Sequence, residues 1–125
     1  MKFAIYQIQI TAAQRKTINE SKDFDAVPAF AAKIKMKMDD GNKIGGLADE
    51  AFEAGYYTHV ANIEAEDYDD CFEVGNVGPD DQIERITDRM SSLSVGDLIV
   101  GEDGSMAVVS LYGFTLIGFR PQLAA

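Results

Sequence analysis

Polar and apolar residues alternate at the start of the chain. Between Tyr6 and Ile10, apolar side chains alternate with Gln7 and Gln9, a two-residue period that is typical of a half-buried strand. We therefore predict a strand over residues 3–10, with one face in the core and the other in water.

Residues 29–38 fit two patterns. From Lys33 onward lysines alternate with apolar residues, as in an edge strand whose charges discourage further pairing. Phe30, Ile34 and Met38 are also spaced by four, which suits a helix. We favour the helix, because alanines and a proline lead into it and proline suits a first helical turn.

Further elements follow from local signals. Residues 11–20 are polar and rich in helix formers, and we predict a short helix there. Residues 47–54 place their apolar side chains on one helical stripe and are predicted to form a second helix. Gly55 suits the end of the second helix, since glycine tolerates the left-handed conformation. Residues 39–42 are predicted to form a turn and residues 56–63 an extended strand.

The middle of the chain predicts one more strand and one more helix. Residues 68–74 are interpreted as extended. A proline followed by two aspartates then favours a helix start, and Ile83, Ile86 and Met90 form an apolar stripe over residues 80–90. We expect this helix to cover the C-terminal sheet and Ile86 to lie in the core.

The last third of the chain carries strand signals throughout. Apolar runs over 98–100, 106–111 and 114–119 are too closely spaced for helical crossovers. The dipeptide Asp103-Gly104 is a strong hairpin signal between the first two runs. Residues 97–119 are therefore predicted to form a three-stranded antiparallel meander.

In the final strand we assign side chains to faces by simple alternation. Phe114 and Leu116 fall on one face, with Thr115, Ile117 and Phe119 on the other.

Helices and strands mix without regular alternation, which indicates an α+β fold. The length of 125 residues predicts a single domain. We expect a mostly antiparallel sheet that ends in the meander and carries two or three covering helices.

Composition narrows the class of protein. One cysteine cannot form an internal disulfide, which points to a reducing, cytoplasmic location. No apolar run reaches about 18 residues, so no membrane association is expected. The N-terminal segment lacks a signal-peptide cleavage pattern.

The charge is strongly uneven. Residues 1–38 carry a balance of +4 and residues 39–103 a balance of −15, within a total of −10. Direct nucleic-acid binding is therefore not expected, because such proteins are usually basic on the binding face. The acids either keep the protein soluble or form a docking surface for a basic protein partner. The candidate partner-binding residues are Glu64, Glu66, Asp67, Asp69, Asp70, Asp80 and Asp81.

Sequence motifs give little support to catalysis. His59 is the single histidine, and neither it nor Cys71 lies in a nucleophile signature. The surrounding acids should raise the pKa of the Cys71 thiol, which disfavours the reactive thiolate. Too few ligands exist for structural zinc, the aspartates from Asp67 onward fail the EF-hand pattern, and no phosphate-binding glycine loop occurs. We therefore predict no cofactor and no metal.

The C-terminal two-thirds resembles a known family. Residues 68–75 are followed by Gly78-Pro79-Asp80-Asp81, then by Ser94-Val95-Gly96-Asp97-Leu98-Ile99-Val100, a hairpin and Tyr112-Gly113-Phe114. This order is similar to the YodL-like domain family of phage, prophage and conjugative-element proteins, over about residues 45–119, whereas residues 1–44 lie outside the match. The resemblance implies a mobile-element accessory protein tied to host takeover or counter-defence, and it transfers no catalytic residue.

The matched motif also has a structural interpretation. Ser94 suits a turn, and the side chain of Asp97 is positioned to bond backbone N–H groups and so hold the turn at Gly96. Val95, Leu98 and Val100 are expected in the core.

Three functions from different classes remain open. The first is a non-enzymatic accessory protein that binds a protein partner through an acidic surface. The second is a nucleic-acid mimic, whose carboxylates would occupy a phosphate-binding groove on a host protein. The third is a small enzyme of unknown reaction, which would need a pocket containing carboxylates with shifted pKa values and in which His59, Cys71 and the tyrosines would be the first candidates.

Overall fold

Strands of the described part of the chain form one antiparallel sheet. The computed structural model describes residues 1–40 and 42–123, with Phe24 described by its backbone alone. The strands are β1 (Lys2–Ile8), β2 (Tyr57–Glu64), β3 (Ile83–Arg85), β4 (Leu98–Val100), β5 (Ser105–Ser110) and β6 (Gly113–Phe119). Their spatial order is β3-β2-β1-β4-β5-β6, so β1 lies inside the sheet and β3 and β6 form its edges.

Helices cover both faces of this sheet. They are α1 (Ala12–Ser21), α2 (Pro28–Lys37), α3 (Ile44–Glu53) and α4 (Tyr68–Val77), with short 3-10 helices at Phe24–Ala26, Asp80–Gln82 and Pro121–Leu123. The predicted α+β class is confirmed. Within residues 1–40 and 42–123, no helix is both long enough and apolar enough to cross a membrane.

The first three helices lie close to their predicted positions, although α3 begins at Ile44, three residues before its predicted start. Thr11 caps α1 through a reciprocal capping box with Gln14. Pro28 opens α2, which confirms the helical interpretation of this segment. After α3, Gly55 adopts a φ of +80°, the left-handed conformation expected of it. The predicted turn at 39–42 includes Gly41, which lies outside the described residues.

One face of the sheet packs against α2 and α3. The core on this side is fully or almost fully buried and contains Ala4, Ile8, Met36, Ile44, Ala48, Ala51, Leu98, Val100, Met106 and Val108. Leu98 and Val100 are therefore core residues as predicted, while Val95 is partly buried against the same cluster.

The opposite face of β1 is also buried, which contradicts the predicted solvent face. Phe3 and Ile5 belong to a second core, and Gln7 on the same face is only 2% exposed. The reason is that α4 and the segment before β4 cover this side, contributing Cys71, Val74 and Leu93 to the core. Both faces of β1 are therefore shielded from water.

Residues 68–74 are helical, so the prediction of an extended segment was wrong. Asp67 caps α4 by accepting a hydrogen bond from the Asp70 N–H at 2.8 Å. Cys71 and Val74 are buried on its inner side, with Tyr68 and Phe72 partly buried against the same core. The i, i+3, i+4 spacing of these residues is helical, and burial of that stripe decides the conformation.

The helix predicted over residues 80–90 does not form. Its acidic start makes only a short 3-10 helix, after which Ile83 pairs with Ile63 as the first residue of β3. Ile86 is 50% exposed rather than in the core, and its N–H donates to the Val60 carbonyl. Pairing with β2 satisfies the backbone here, and α4 supplies the cover that this segment was expected to give.

The C-terminal meander is confirmed, with one change in β6. β4, β5 and β6 pair in sequence order, and the turn containing Asp103-Gly104 joins the first two. A register shift leaves Ile117 as an extra residue, because Leu116 pairs with Ala107 but Gly118 with Met106. Such a bulge reverses the alternation, so Phe119 shares the face of Leu116 instead of lying opposite it.

A buried polar cluster ties β1 to the segment before β4. Asp97 Oδ2 accepts hydrogen bonds from the Ser94 N–H at 2.9 Å and from Gln7 Nε2 at 3.0 Å. Gln7 also donates to the Ser91 carbonyl and accepts from the Ser91 N–H. Asp97 thus holds the turn before β4, as predicted. Burial raises its pKa to about 6, while the hydrogen bonds from Ser94 and Gln7 act in the opposite direction.

Two substitutions test the burial of Ile63 and the exposure of Ile86. Ile63→Ala should lower the free energy of unfolding by about 2–5 kcal/mol, because it opens a cavity beside α4. Ile86→Asp should cost about 1 kcal/mol or less, because the side chain is half exposed. Urea denaturation measures both. A large loss of stability in Ile86→Asp would instead support the predicted helix over residues 80–90 with Ile86 in the core.

The raised pKa of Asp97 predicts a pH dependence of stability. The folded protein holds the Asp97 proton up to about pH 6, whereas the unfolded chain releases it near the ordinary pKa of 3.8. The contribution of this group to stability is therefore present at low pH and is lost as the pH rises through that interval. Relative to Asp97→Asn, the wild-type protein should lose stability between these two pH values and show a constant difference above them. Thermal unfolding over this range measures the difference, and a difference that is independent of pH would contradict the assignment.

Candidate acidic docking site

The predicted acidic residues lie at the two ends of α4. The helix crosses the sheet: Tyr68 at its start lies 5.6 Å from the Phe114 ring on β6, and Gly75 near its end faces Ile63 on β2. Glu66, Asp67, Asp69 and Asp70 lie at or just before its start, whereas Asp80 and Asp81 follow its end. Acidic residues that are close together in the sequence therefore lie in two separate regions of the surface.

At the start of α4, some carboxylates are engaged in local structure. Asp67 is the N-cap, and Asp70 accepts a hydrogen bond from the Glu66 N–H at 2.9 Å. Glu66 and Asp69 have exposed side chains. Negative groups in the first turn also interact favourably with the helix dipole. Glu66 and Asp69 are thus the carboxylates here that can be neutralised without removing a cap.

The second acidic place lies at the β3 edge. Glu64, Asp81 and Glu84 line one shallow cavity of about 170 Å³ together with Lys2. Glu64 pairs with the N-terminal ammonium of Met1 at 3.4 Å, and Asp80 pairs with Arg85 at 2.7 Å. Glu64 and Asp80 therefore each have a cationic partner within the chain.

A larger groove lies beside the start of α4 and contains one of the predicted residues, Asp67. Its volume is about 540 Å³. Its lining residues come from β1, α4, the β4–β5 turn and β6, and are Met1, Phe3, Asp67, Tyr68, Gly101, Glu102, Asp103, Ser105 and Leu116. We call it the acid-rimmed groove, because apolar side chains form its floor and carboxylates its rim. Among its described lining residues there is no Lys or Arg, and the N-terminal ammonium of Met1 is held by Glu64 at 3.4 Å and by the Ala65 carbonyl at 2.8 Å.

Aromatic packing holds the floor of the acid-rimmed groove. The rings of Phe3 and Tyr68 are 5.7 Å apart, and Phe114 contacts both Tyr68 and Phe72. Leu116 completes the floor and is 67% exposed. An exposed leucine beside partly buried rings provides apolar surface for a partner.

The rim carboxylates are oriented by the backbone. Asp103 accepts hydrogen bonds from the Ser105 N–H at 2.9 Å and the Ser105 hydroxyl at 2.8 Å, which lower its pKa. Glu102 accepts from the Lys2 N–H at 3.1 Å. Burial, and then the charge of Asp103, raises the pKa of the Tyr68 hydroxyl. Asp103 is therefore anionic at neutral pH and lies close to the aromatic floor.

Glu102 and Asp103 are not among the acidic residues that were predicted to bind a partner. They lie more than thirty positions after Asp67, and the Asp103-Gly104 pair was interpreted as a hairpin signal alone. Only the pairing of β1 with β4 brings them beside the start of α4.

Of the residues considered for catalysis, Tyr68 lines the groove, whereas His59 and Cys71 do not. Burial, and then the charge of Asp70, raises the pKa of the Cys71 thiol to about 12. His59 stacks on Tyr6 at 4.8 Å between ring centres, and its Nε2 lies 2.8 Å from Asn62 Oδ1.

Neither a search for metal-binding clusters nor comparison with known proteins assigns a role to this site. Among the described residues, no group of three or more His, Cys, Asp or Glu side chains is arranged to hold a metal ion. No protein-family model, curated protein or solved structure matches the chain.

Two substitutions of Asp67 separate the contribution of its capping hydrogen bond to stability from the contribution of its charge. Asp67→Ala should destabilise the protein by about 1 kcal/mol, because the Asp70 N–H loses its acceptor. Asp67→Asn removes the charge but retains the acceptor, and should cost only a few tenths of that amount. Chemical denaturation compares the two variants. Equal losses would show that the charge, and not the cap, stabilises α4.

Proposed function

We propose that this chain is a non-enzymatic binding protein that docks a basic surface of a protein partner through the acid-rimmed groove and the adjoining carboxylates. One observation carries the proposal: a single groove combines an apolar floor with an anionic rim. Among its described lining residues there is no Lys or Arg side chain. Interfaces typically combine an apolar centre with a polar rim. The charge of −10 would further attract a basic partner over a distance.

The floor favours a protein partner over imitation of nucleic acid. A mimic needs carboxylates spaced like phosphates, whereas Phe3, Tyr68 and Leu116 here supply aromatic and aliphatic surface between the acids. Apolar side chains of this kind contribute to protein interfaces through burial. The groove therefore fits a partner that presents both cationic and apolar side chains.

The chemistry of the candidate nucleophile supports a binding role. A buried thiol with a pKa of about 12 is almost entirely protonated at neutral pH and is a poor nucleophile. We further propose, from the resemblance of residues 45–119 to YodL-like domains, that the partner is a host or element-encoded protein in the host cytoplasm. In this proposal the chain acts as an accessory protein of a phage or other mobile element.

Charge neutralisation tests the docking surface. The triple variant Glu66→Gln, Asp69→Asn and Glu102→Gln should reduce capture of the partner about tenfold at physiological salt, since exposed ion pairs contribute up to about 1 kcal/mol each. Quantitative affinity purification of the tagged chain from host lysate measures the loss. Capture by the wild-type chain should also weaken as salt rises, because salt screens exposed charges.

A matched control separates the site from net charge. Glu20→Gln, Asp25→Asn and Glu50→Gln neutralise three acids in the layer of α1–α3, with the same total change in charge. This variant should retain most of the wild-type capture, because it loses only the long-range attraction of the net charge. Equal capture by both triple variants would contradict the proposed surface.

A further inference from the structure

The outer edge of β6 has no strand partner within the described part of the chain. β6 pairs with β5 on one side and ends the strand order on the other. Its seven residues, Gly-Phe-Thr-Leu-Ile-Gly-Phe, include no charge and no proline. An exposed strand edge of this kind is a template for an additional strand, since its outward N–H and C=O groups need partners.

The other edge of the sheet is protected. β3 is only three residues long and contains Glu84 and Arg85. Glu84 accepts a hydrogen bond from Asn62, and Arg85 pairs with Asp80. Short, charged edges of this kind discourage pairing. The contrast leaves β6 as the edge of this sheet that is open to a strand.

The bulge in β6 adds an apolar surface beside the open edge. Leu116 and Phe119 pair with Ala107 and Ser105, which are two residues apart on β5 and so point to the same face. They are 67% and 62% exposed. Leu116 also belongs to the floor of the acid-rimmed groove. The apolar surface therefore continues from the groove to the edge.

Carboxylates lie on both faces of the sheet in the neighbourhood of β6. Glu102 and Asp103 lie on the groove side, while Asp49 and Glu53 on α3 share the single cation Arg120. Two copies of the chain paired through β6 would bring these acids together, which disfavours self-association. A strand that carries Lys or Arg would instead be attracted.

We propose that β6 receives an extended basic segment of the partner protein as a seventh strand. Apolar side chains of that segment lie against Leu116 and Phe119 on the groove face, and its alternating Lys or Arg side chains point to the opposite face, toward Asp49 and Glu53 on α3. Backbone hydrogen bonds supply affinity in this mode, and the alternating side chains supply specificity. The inference rests on the proposed function for the basic character of the partner, and adds the mode of binding.

Defined peptides test strand addition on the full chain. The probe is a nine-residue peptide that alternates lysine with valine, starting and ending with lysine. It should bind saturably and slow the amide hydrogen exchange of β6 at least tenfold, as followed by ¹H–¹⁵N NMR. The same peptide with its central lysine replaced by proline should bind at least tenfold more weakly than one with alanine at that position, because both lose the lysine charge but only the proline peptide also loses a backbone donor. A peptide with glutamate in place of lysine should not bind.

Two exposed positions provide matched variants. Leu116→Lys adds a charge beside the edge and should weaken binding of the lysine–valine peptide at least tenfold. Val77→Lys makes the same change at the far end of α4, where the side chain is 81% exposed, and should leave binding unchanged. Both side chains are exposed, so the variants are expected to fold, and thermal unfolding checks this.

The remaining outcomes distinguish the two proposals. No binding of the lysine–valine peptide, or binding without protection of β6, overturns strand addition. The proposed function still stands if the carboxylate variants lose partner capture. Protection of β6 that rises with protein concentration in the absence of peptide indicates a second copy and likewise overturns the inference. If peptide binding protects β6 but the variants without the carboxylates capture the partner as well as the wild-type chain does, the proposed function fails and strand addition to β6 is retained.

Discussion

The central strand β1 is covered on both faces, so each buried polar group that it carries needs a partner inside the protein. Its backbone is satisfied by β2 on one side and β4 on the other. Its one deeply buried polar side chain, Gln7, is satisfied by Ser91 and Asp97. An unpaired amide at this depth would cost about 1–3 kcal/mol. The segment before β4 is therefore tied to β1 by a requirement for hydrogen bonds as well as by the packing of Leu93.

The crossing of α4 over the sheet shapes the surface of the protein. Its start lies over β6 and its end over β2, so the acids at its two ends are separated into two regions. The aromatic side chain at its start, Tyr68, packs against Phe3 and Phe114 and closes one wall of the acid-rimmed groove. The same helix that completes the second core thereby creates the candidate site. Core packing and surface chemistry depend on one element.

The carboxylates of this acidic chain divide between folding and surface roles. Asp67 caps a helix and Asp97 holds a buried turn. Glu66 and Asp69 are exposed beside the groove. A net charge of −10 is therefore a poor guide to the number of acids available to a partner. Hydrogen-bond partners in the structure, more than sequence density, separate the two groups.

Local signals determined much of this fold. The capping sequence of α1, the proline of α2, the glycine after α3 and the closely spaced strands of the meander each act within a few residues, so their structures could be predicted.

The conformation of α4 and of residues 83–90 was decided by tertiary contacts. The sequence contains the α4 signal, an aspartate cap at Asp67 followed by helically spaced apolar residues, but a short apolar run fits a strand or a helix equally well until the surface that it packs against is known. The segment from Ile83 forms β3 because β2 offers a free edge there. The acid-rimmed groove and the bulge that turns Phe119 also depend on pairing between distant strands. No local sequence pattern specifies those contacts, because their partners lie far apart in the chain.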